Sequence, residues 1–224
     1  MSAKNTGSLS TAAQAKERRP GRPRGGAINA EQREHLLTIA LTLFAEKGIA
    51  ETSLNAIARK AEVSAAMLTY YFQSRESLLD IIITERFLPL RHDIAAIFDQ
   101  HADDPRTALT LILEKMIETA EKHVWFAPLW MQEMASGESI FRQRLKAKHG
   151  DNERQKVVAI IQKWQQEGKL NADLEPALLM SSLISLILVP LVQLRTTGAH
   201  PGFSGADVLR HATAMISNGF LNSR

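Results

Sequence analysis

The stretch that most restricts what this chain can fold into is Thr52 to Phe72, TSLNAIARKAEVSAAMLTYYF. Leu54, Ile57, Ala58 and Ala61 fall at helical spacing, and after a restart at Val63-Ser64 so do Leu68, Tyr71 and Phe72. Thr52 and Ser64 stand where a hydroxyl can cap the first turn of each run. The pattern predicts two short helices broken by one tight turn. The second would turn Leu68, Tyr71 and Phe72 inward and leave Ala65, Ala66, Met67, Thr69 and Tyr70 on its outer and leading surface.

That geometry is a helix-turn-helix, whose second helix enters the major groove of DNA with its first residues at base edges. The flanking sequence supplies the rest of a small core. A helix from about Ala30 to Lys47, capped at Asn29 and ended by Gly48, carries Leu36, Leu37, Ala40, Leu43 and Phe44 on one face. Ser74 opens a further helix through Leu78, Leu79, Ile82 and Phe87 toward Phe98, which Pro89 should kink or divide.

Ala61-Glu62-Val63-Ser64, then Leu68, Tyr71-Phe72 and Ser74-Arg75-Glu76-Ser77-Leu78-Leu79, resemble the TetR family of transcriptional regulators. The likeness covers Gln32 to Leu79 as motif and the remainder only as a helical layout. It implies an all-α chain with an N-terminal three-helix DNA-binding domain at 28–76 and a helical ligand-binding and dimerisation domain at 77–224. It also implies phosphate contacts from Thr52, Ser53, Tyr70 and Arg75, with Ser64, Ala65, Ala66, Met67 and Thr69 at the groove. The family usually has Gly where this chain has Glu62, and a side chain in the left-handed region costs about 1 kcal/mol. It often has Lys and Tyr where Ala65 and Thr69 stand, so those two contacts do not carry over. The remaining small and apolar groups suit thymine methyls better than guanine, which shifts specificity toward DNA shape and the N-terminal arm.

The net charge is +3, but it is unevenly placed. Lys16, Arg18, Arg19, Arg22 and Arg24 face one acid, Glu17, so the rest of the chain is near neutral and attraction to a polyanion must come from this arm. Residues 1–27 lack periodicity and are expected to be disordered. Arg18-Arg19-Pro20-Gly21-Arg22-Pro23-Arg24 is similar to an AT-hook, in which Arg19, Arg22 and Arg24 would lie in a narrow minor groove, although Pro20 replaces the usual Arg before the Gly. The alternative is a solvated basic tail that attracts phosphate without sequence preference.

The body reads as helices throughout. Asp104-Pro105 caps one bearing Leu109, Ile112, Leu113, Met116, Ile117 and Ala120, and a long one from about Ser139 to Glu167 carries a breakable Gly150-Asp151-Asn152. Asp173 should cap a helix from Leu174 to about Arg195, and Ser204 with Asp207 one that runs to about Gly219. The Leu174–Arg195 segment is apolar on more sides than one core requires. A membrane span over Ala177 to Leu194 is one reading, disfavoured by missing flanking anchors. A four-helix homodimer interface, as in the TetR family, is the other, through Leu183, Ile187, Leu191, Leu194, Leu209, Ala212 and Ile216. Phe87, Met116, Trp125, Phe126, Trp130, Met131, Met134 and Met180 are candidates to line a pocket for an apolar or aromatic effector, with His123 and Glu133 at its polar end.

No Cys, no metal-spaced His pair, no Gly-rich phosphate loop and no nucleophile elbow is present, so neither metal, cofactor nor catalysis is expected. Without an N-terminal apolar segment the expected compartment is the cytoplasm. The reading is a ligand-responsive repressor that binds a pseudo-palindromic operator on double-stranded DNA as a homodimer. The alternative is an architectural or constitutive DNA-binding protein that relies on the AT-hook-like arm.

Overall fold

A computed structural model describes residues 27–137, 139–149, 152–196 and 203–221. Eleven α-helices run among them: α1 Ala27–Lys47, α2 Leu54–Lys60, α3 Ala65–Phe72, α4 Arg75–Ile82, α5 Leu88–Gln100, α6 Pro105–Lys122, α7 Phe126–Ala135, α8 Ile140–His149, α9 Asn152–Gln166, α10 Pro176–Thr196 and α11 Gly205–Met215. Two π turns, Ile83–Phe87 and Ile216–Phe220, follow α4 and α11. The sole β pairing among the described residues is an isolated bridge between Leu170 and Leu221.

The head is α1 to α4. Leu36, Leu37, Ala40 and Phe44 of α1 meet Ile57 and Ala58 of α2, Leu68 and Phe72 of α3 and Leu78, Leu79 and Ile82 of α4 in one buried cluster. Each fully buried side chain of this size contributes about 1.5–3 kcal/mol of transfer free energy. The α2–α3 turn is closed by Val63 N–H donating to Ala58 O at 3.0 Å, and Glu62 holds it with φ 55°. The left-handed conformation expected at this position is thus kept with a side chain in place.

Several element boundaries differ from the sequence reading. α1 begins at Ala27, so Asn29 lies inside the helix rather than at its cap. Ser53, not Thr52, caps α2, its Oγ accepting from Ala56 N–H at 3.2 Å. α10 starts at Pro176, because Asp173 is held in a turn by its own N–H donating to Asn171 Oδ1 at 2.9 Å. The helix expected over 139–167 is two, α8 and α9, and the predicted break falls on residues 150–151, outside the described residues.

Pro89 divides the fourth helix as expected, and a π turn makes the division. Leu88 N–H reaches back five residues to Ile83 O, and Pro89 stands in the first turn of α5. In the body, α6 is central: Leu109, Ile112, Leu113, Met116 and Ala120 are buried, as are Leu179, Leu183, Ile187, Leu188 and Leu191 of α10. Phe98 stacks on Trp164 with ring centres 5.7 Å apart, and the Trp164 indole donates to Ala102 O at 2.6 Å.

Glu62 gives a direct test of the turn. Glu62→Gly should raise stability by about 0.5 kcal/mol, because relief of the left-handed penalty is partly offset by unfolded-chain entropy, and Glu62→Val should lower it by more than 1 kcal/mol. Urea unfolding of the two variants measures both signs.

Candidate nucleic-acid interface and effector cavity

α3 is presented by its two ends and its buried face. At its start Ser64 Oγ accepts from Met67 N–H at 3.2 Å. Leu68 and Phe72 are wholly buried, which turns Ala65, Ala66, Met67, Thr69 and Tyr70 to solvent; Met67 is 41% and Tyr70 75% exposed. The Tyr70 ring meets Tyr71 edge-on at 5.4 Å. The Thr69 hydroxyl donates to Ala65 O at 3.0 Å, so its donor is satisfied within the helix.

At its far end α3 stops on Gln73, whose φ of 60° and ψ of −59° put it in a γ-turn, with Ser74 N–H donating to Phe72 O at 2.6 Å. Such a conformation costs about 1–3 kcal/mol in a residue with a side chain. It delivers Ser74 at once to the cap of α4, where its Oγ accepts from Ser77 N–H at 3.0 Å.

One expected phosphate contact is placed differently. Thr52 is completely buried and its hydroxyl donates to Gly48 O at 2.8 Å, so it braces the α1–α2 loop and offers nothing to a ligand. Arg75 is half-buried, with its guanidinium donating to Ala50 O at 3.0 Å. Ser53 is exposed at the start of α2. Arg19, Arg22 and Arg24 lie outside the described residues.

The body contains a cavity of about 610 Å³ between α5, α6, α7, α9 and α10. Phe87, Met116, Phe126, Trp130, Met131, Met134 and Met180 line it as the sequence predicted, together with Ile94, Ala95, Val157, Ile184 and Leu188. Arg91, Glu153 and Arg154 sit along one side, and Ser181 and Ser185 along another. His123 and Trp125 do not belong to it. They line a separate polar hollow of about 470 Å³ with Glu34, Arg86, Asp93, Lys115 and Lys122. There burial, with nearby Lys122 and Arg86, pushes the His123 imidazole below its ordinary pKa, so it is neutral at pH 7. Glu133 reaches neither space: its buried carboxylate accepts from the Ser139 hydroxyl.

The dimer residues read from the sequence are mostly spent inside the subunit. Leu183, Ile187, Leu191, Ala212 and Ile216 are buried in its own core, and only Leu194 and Leu209 keep partial exposure. The outward face of α10 carries Ser182, Leu186 and Gln193 instead, with Ser185 and Val189 between it and the cavity, and Leu178 is 60% exposed. By length and mean hydropathy Pro176–Arg195 could cross a membrane, and 28% of its 18-residue apolar window is buried. Its inner face packs on α6, α7 and α11.

Sequence reasoning missed the joints between head and body. Arg33 of α1 donates to both carboxylate oxygens of Glu85 at 2.6 and 2.9 Å, and Arg86 donates to Glu34 at 2.5 Å. The Arg33 hydrogen bonds hold the Glu85 carboxyl below its usual range, so this contribution is present above that range and is lost as pH falls through the lowered value. Gln132 of α7 donates to Ala45 O at 3.0 Å, near the end of α1. The only available signal was opposite charge order, Arg33-Glu34 against Glu85-Arg86, across a separation of 52 residues.

Comparison with known proteins agrees with this geometry. The family model described as bacterial regulatory proteins, tetR family, matches residues 36–82. The chain is 26% identical over 118 residues to the HTH-type transcriptional regulator BetI of Stenotrophomonas maltophilia, covering 50% of this chain and 60% of that protein. It is 31% identical over 121 residues to the HTH-type transcriptional regulator LuxR of Vibrio harveyi, covering 51% and 56%. The chain thus spans little more than half the length of these curated relatives. Among solved structures, the ketosteroid transcriptional regulator KstR2 of Mycobacterium tuberculosis superposes with a TM-score of 0.59 at 22% identity, covering 86% of this chain and 96% of that one. A putative fatty acid metabolism regulator of Clostridium perfringens gives 0.64 at 20%, covering 84% and 100%. These last two likenesses concern the fold.

Two substitutions on α3 separate its scaffold from its free surface. Ser64→Ala should cost about 1 kcal/mol of stability through the lost cap, whereas Tyr70→Ala should stay within about 0.5 kcal/mol of the parent in thermal unfolding. With a capped, outward-facing α3 on a three-helix head, residues 36–82 match the family model of bacterial regulatory proteins, tetR family.

Proposed function

We propose that this protein is a dimeric, effector-responsive transcriptional repressor that works in the cytoplasm on a pseudo-palindromic operator. The observation that carries the reading is the exposure of Ala65, Ala66, Met67, Thr69 and Tyr70 on a helix whose opposite face is locked into the head. A helix so presented fits the major groove, with Ser53, Tyr70 and Arg75 near the phosphates and residues 65–69 toward the bases. The same geometry supports reading 28–76 as the DNA-binding domain and 77–224 as the regulatory and dimerisation domain, with residues 1–27 as a basic arm that adds phosphate or minor-groove contacts.

Two-fold pairing would use the outward faces of α10 and α11. Ser182, Leu186 and Gln193 lie within about 40° of one another around α10, and Leu209 and Thr213 continue the face on α11. Pairing there would cover the most apolar uncovered helix in the body. The effector would enter the 610 Å³ cavity, whose Met, Phe and Trp walls suit a flat or aliphatic molecule. It would act by favouring one arrangement of the two heads over another. The Clostridium perfringens and Mycobacterium tuberculosis structures are named for fatty acid metabolism and ketosteroids, which are ligand chemistries of that apolar kind.

Selection of duplex DNA from a random pool tests the central claim. A repeated half-site in two-fold symmetry, with centres about one duplex turn apart, is expected; broad A·T-rich recovery without symmetry would favour an architectural role for the arm. Deleting residues 1–26 should reduce the slope of log affinity against log salt, and an unchanged slope would remove the arm as a DNA contact. Leu186→Arg should convert the dimer to a monomer in sedimentation, with loss of selected-site binding.

A further inference from the structure

We infer that the cavity takes an anionic amphiphile, its apolar body against the inner wall and its charged head held by Arg91 of α5 and Arg154 of α9. This rests on the cavity being an effector site and names the chemistry of what fills it. The inner end is apolar and closed: Phe87, Met116, Phe126 and Leu188 are each at most 3% exposed. The outer end is open, since Met134 and Leu178, which also line it, are 45% and 60% exposed and Arg154 stands in solvent. A ligand of one polarity throughout would leave one of these ends unmatched.

Arg91, Glu153 and Arg154 are the only charged side chains on the wall among the described residues, so one acid stands against two cations. Even that acid is loosely engaged there. Arg91 Nη2 lies 3.9 Å from Glu153 Oε2 and His92 Nε2 lies 4.0 Å from Glu153 Oε1, both beyond hydrogen-bond reach. Arg154 makes no hydrogen bond or ion pair with the other described residues. An incoming carboxylate or phosphate can therefore accept from guanidinium N–H groups that the subunit leaves unspent. Beside an apolar wall such charge-assisted bonds are stronger than in open water.

The field around the opening has the same sign. α8 and α9 together carry seven Lys and Arg against the single acid Glu153, whereas residues 27–137 carry ten against sixteen acids. The near-neutral body is thus two oppositely charged parts. Leu145 of α8 and Arg154, Val157 and Val158 of α9 bring the positive part to the cavity. Asp80 answers Arg144 at 2.8 Å and lies 4.0 Å from Lys148, which offsets some of that charge, but Arg142 and Lys146 remain exposed. A cleft with apolar walls beside such helices concentrates their field and draws anions in ahead of neutral molecules.

Four probes of equal chain length test the assignment: dodecanoate, dodecyl phosphate, dodecanol and dodecyltrimethylammonium, each titrated calorimetrically into the full chain below its micelle concentration. The parent should bind the anions about fivefold or more tighter than the alcohol and the cation most weakly, and added salt should narrow the gap. The tighter of the two anions identifies the head as carboxylate or phosphate. Arg91→Met combined with Arg154→Met should bring dodecanoate to within about twofold of dodecanol. Dodecanol binding should be unchanged in that variant, which shows that it folds, and the basic arm is intact in both proteins and so does not account for the loss. Equal binding of anion and alcohol by the parent, or a preference that survives the double substitution, overturns the anion site and leaves the cavity as a site for uncharged ligands. No saturable binding of any probe to the parent overturns the cavity reading itself.

Discussion

Leu68 and Phe72 have no exposed surface, and their burial in the head fixes the rotation of α3 about its own axis. Every property of the outer surface follows from that angle. Rotated by a third of a turn, the helix would bury Tyr70 or Thr69 and present core residues to water, at a cost of several buried side chains. The Ser64 cap and the Glu62 turn set where the helix starts, and Gln73 sets where it stops, but the two buried side chains decide what it shows.

Much of the head was legible because its signals are local. A hydroxyl before an apolar run marks a helix start within a residue or so, and apolar spacing marks the inner face over two turns. The cap assignment slipped from Ser53 to Thr52 because two adjacent hydroxyls satisfy the same pattern; burial, which pattern does not carry, chose between them. The α10 reading failed in a more instructive way. Periodicity shows that the helix has two apolar stripes, but it does not say which one the subunit keeps, and Leu183, Ile187 and Leu191 turn inward.

The joints between head and body were invisible for a different reason. Arg33-Glu34 and Glu85-Arg86 are ordinary surface dipeptides until two helices lie side by side, and the π turn that aligns them leaves no compositional mark other than Pro89. The same holds for Gln132, whose neighbours Met131 and Met134 announced a cavity while it reached in the opposite direction. The cavity lining itself was largely readable, since Met and aromatic residues gathered on α6, α7 and α10; His123 and Trp125 were lost to the adjacent hollow because the α6–α7 corner turns them away.

The aromatic residues are also divided between the two parts of the molecule. Both tyrosines, Tyr70 and Tyr71, stand on the reading helix, while the three tryptophans stand in the body: Trp130 on the cavity wall, Trp125 at the hollow and Trp164 in the core. The intrinsic emission of the unlabelled chain is therefore spatially sorted by colour. Phenol fluorescence originates in the head and indole fluorescence in the body, and energy passed from one to the other gauges the gap across the joint on α1.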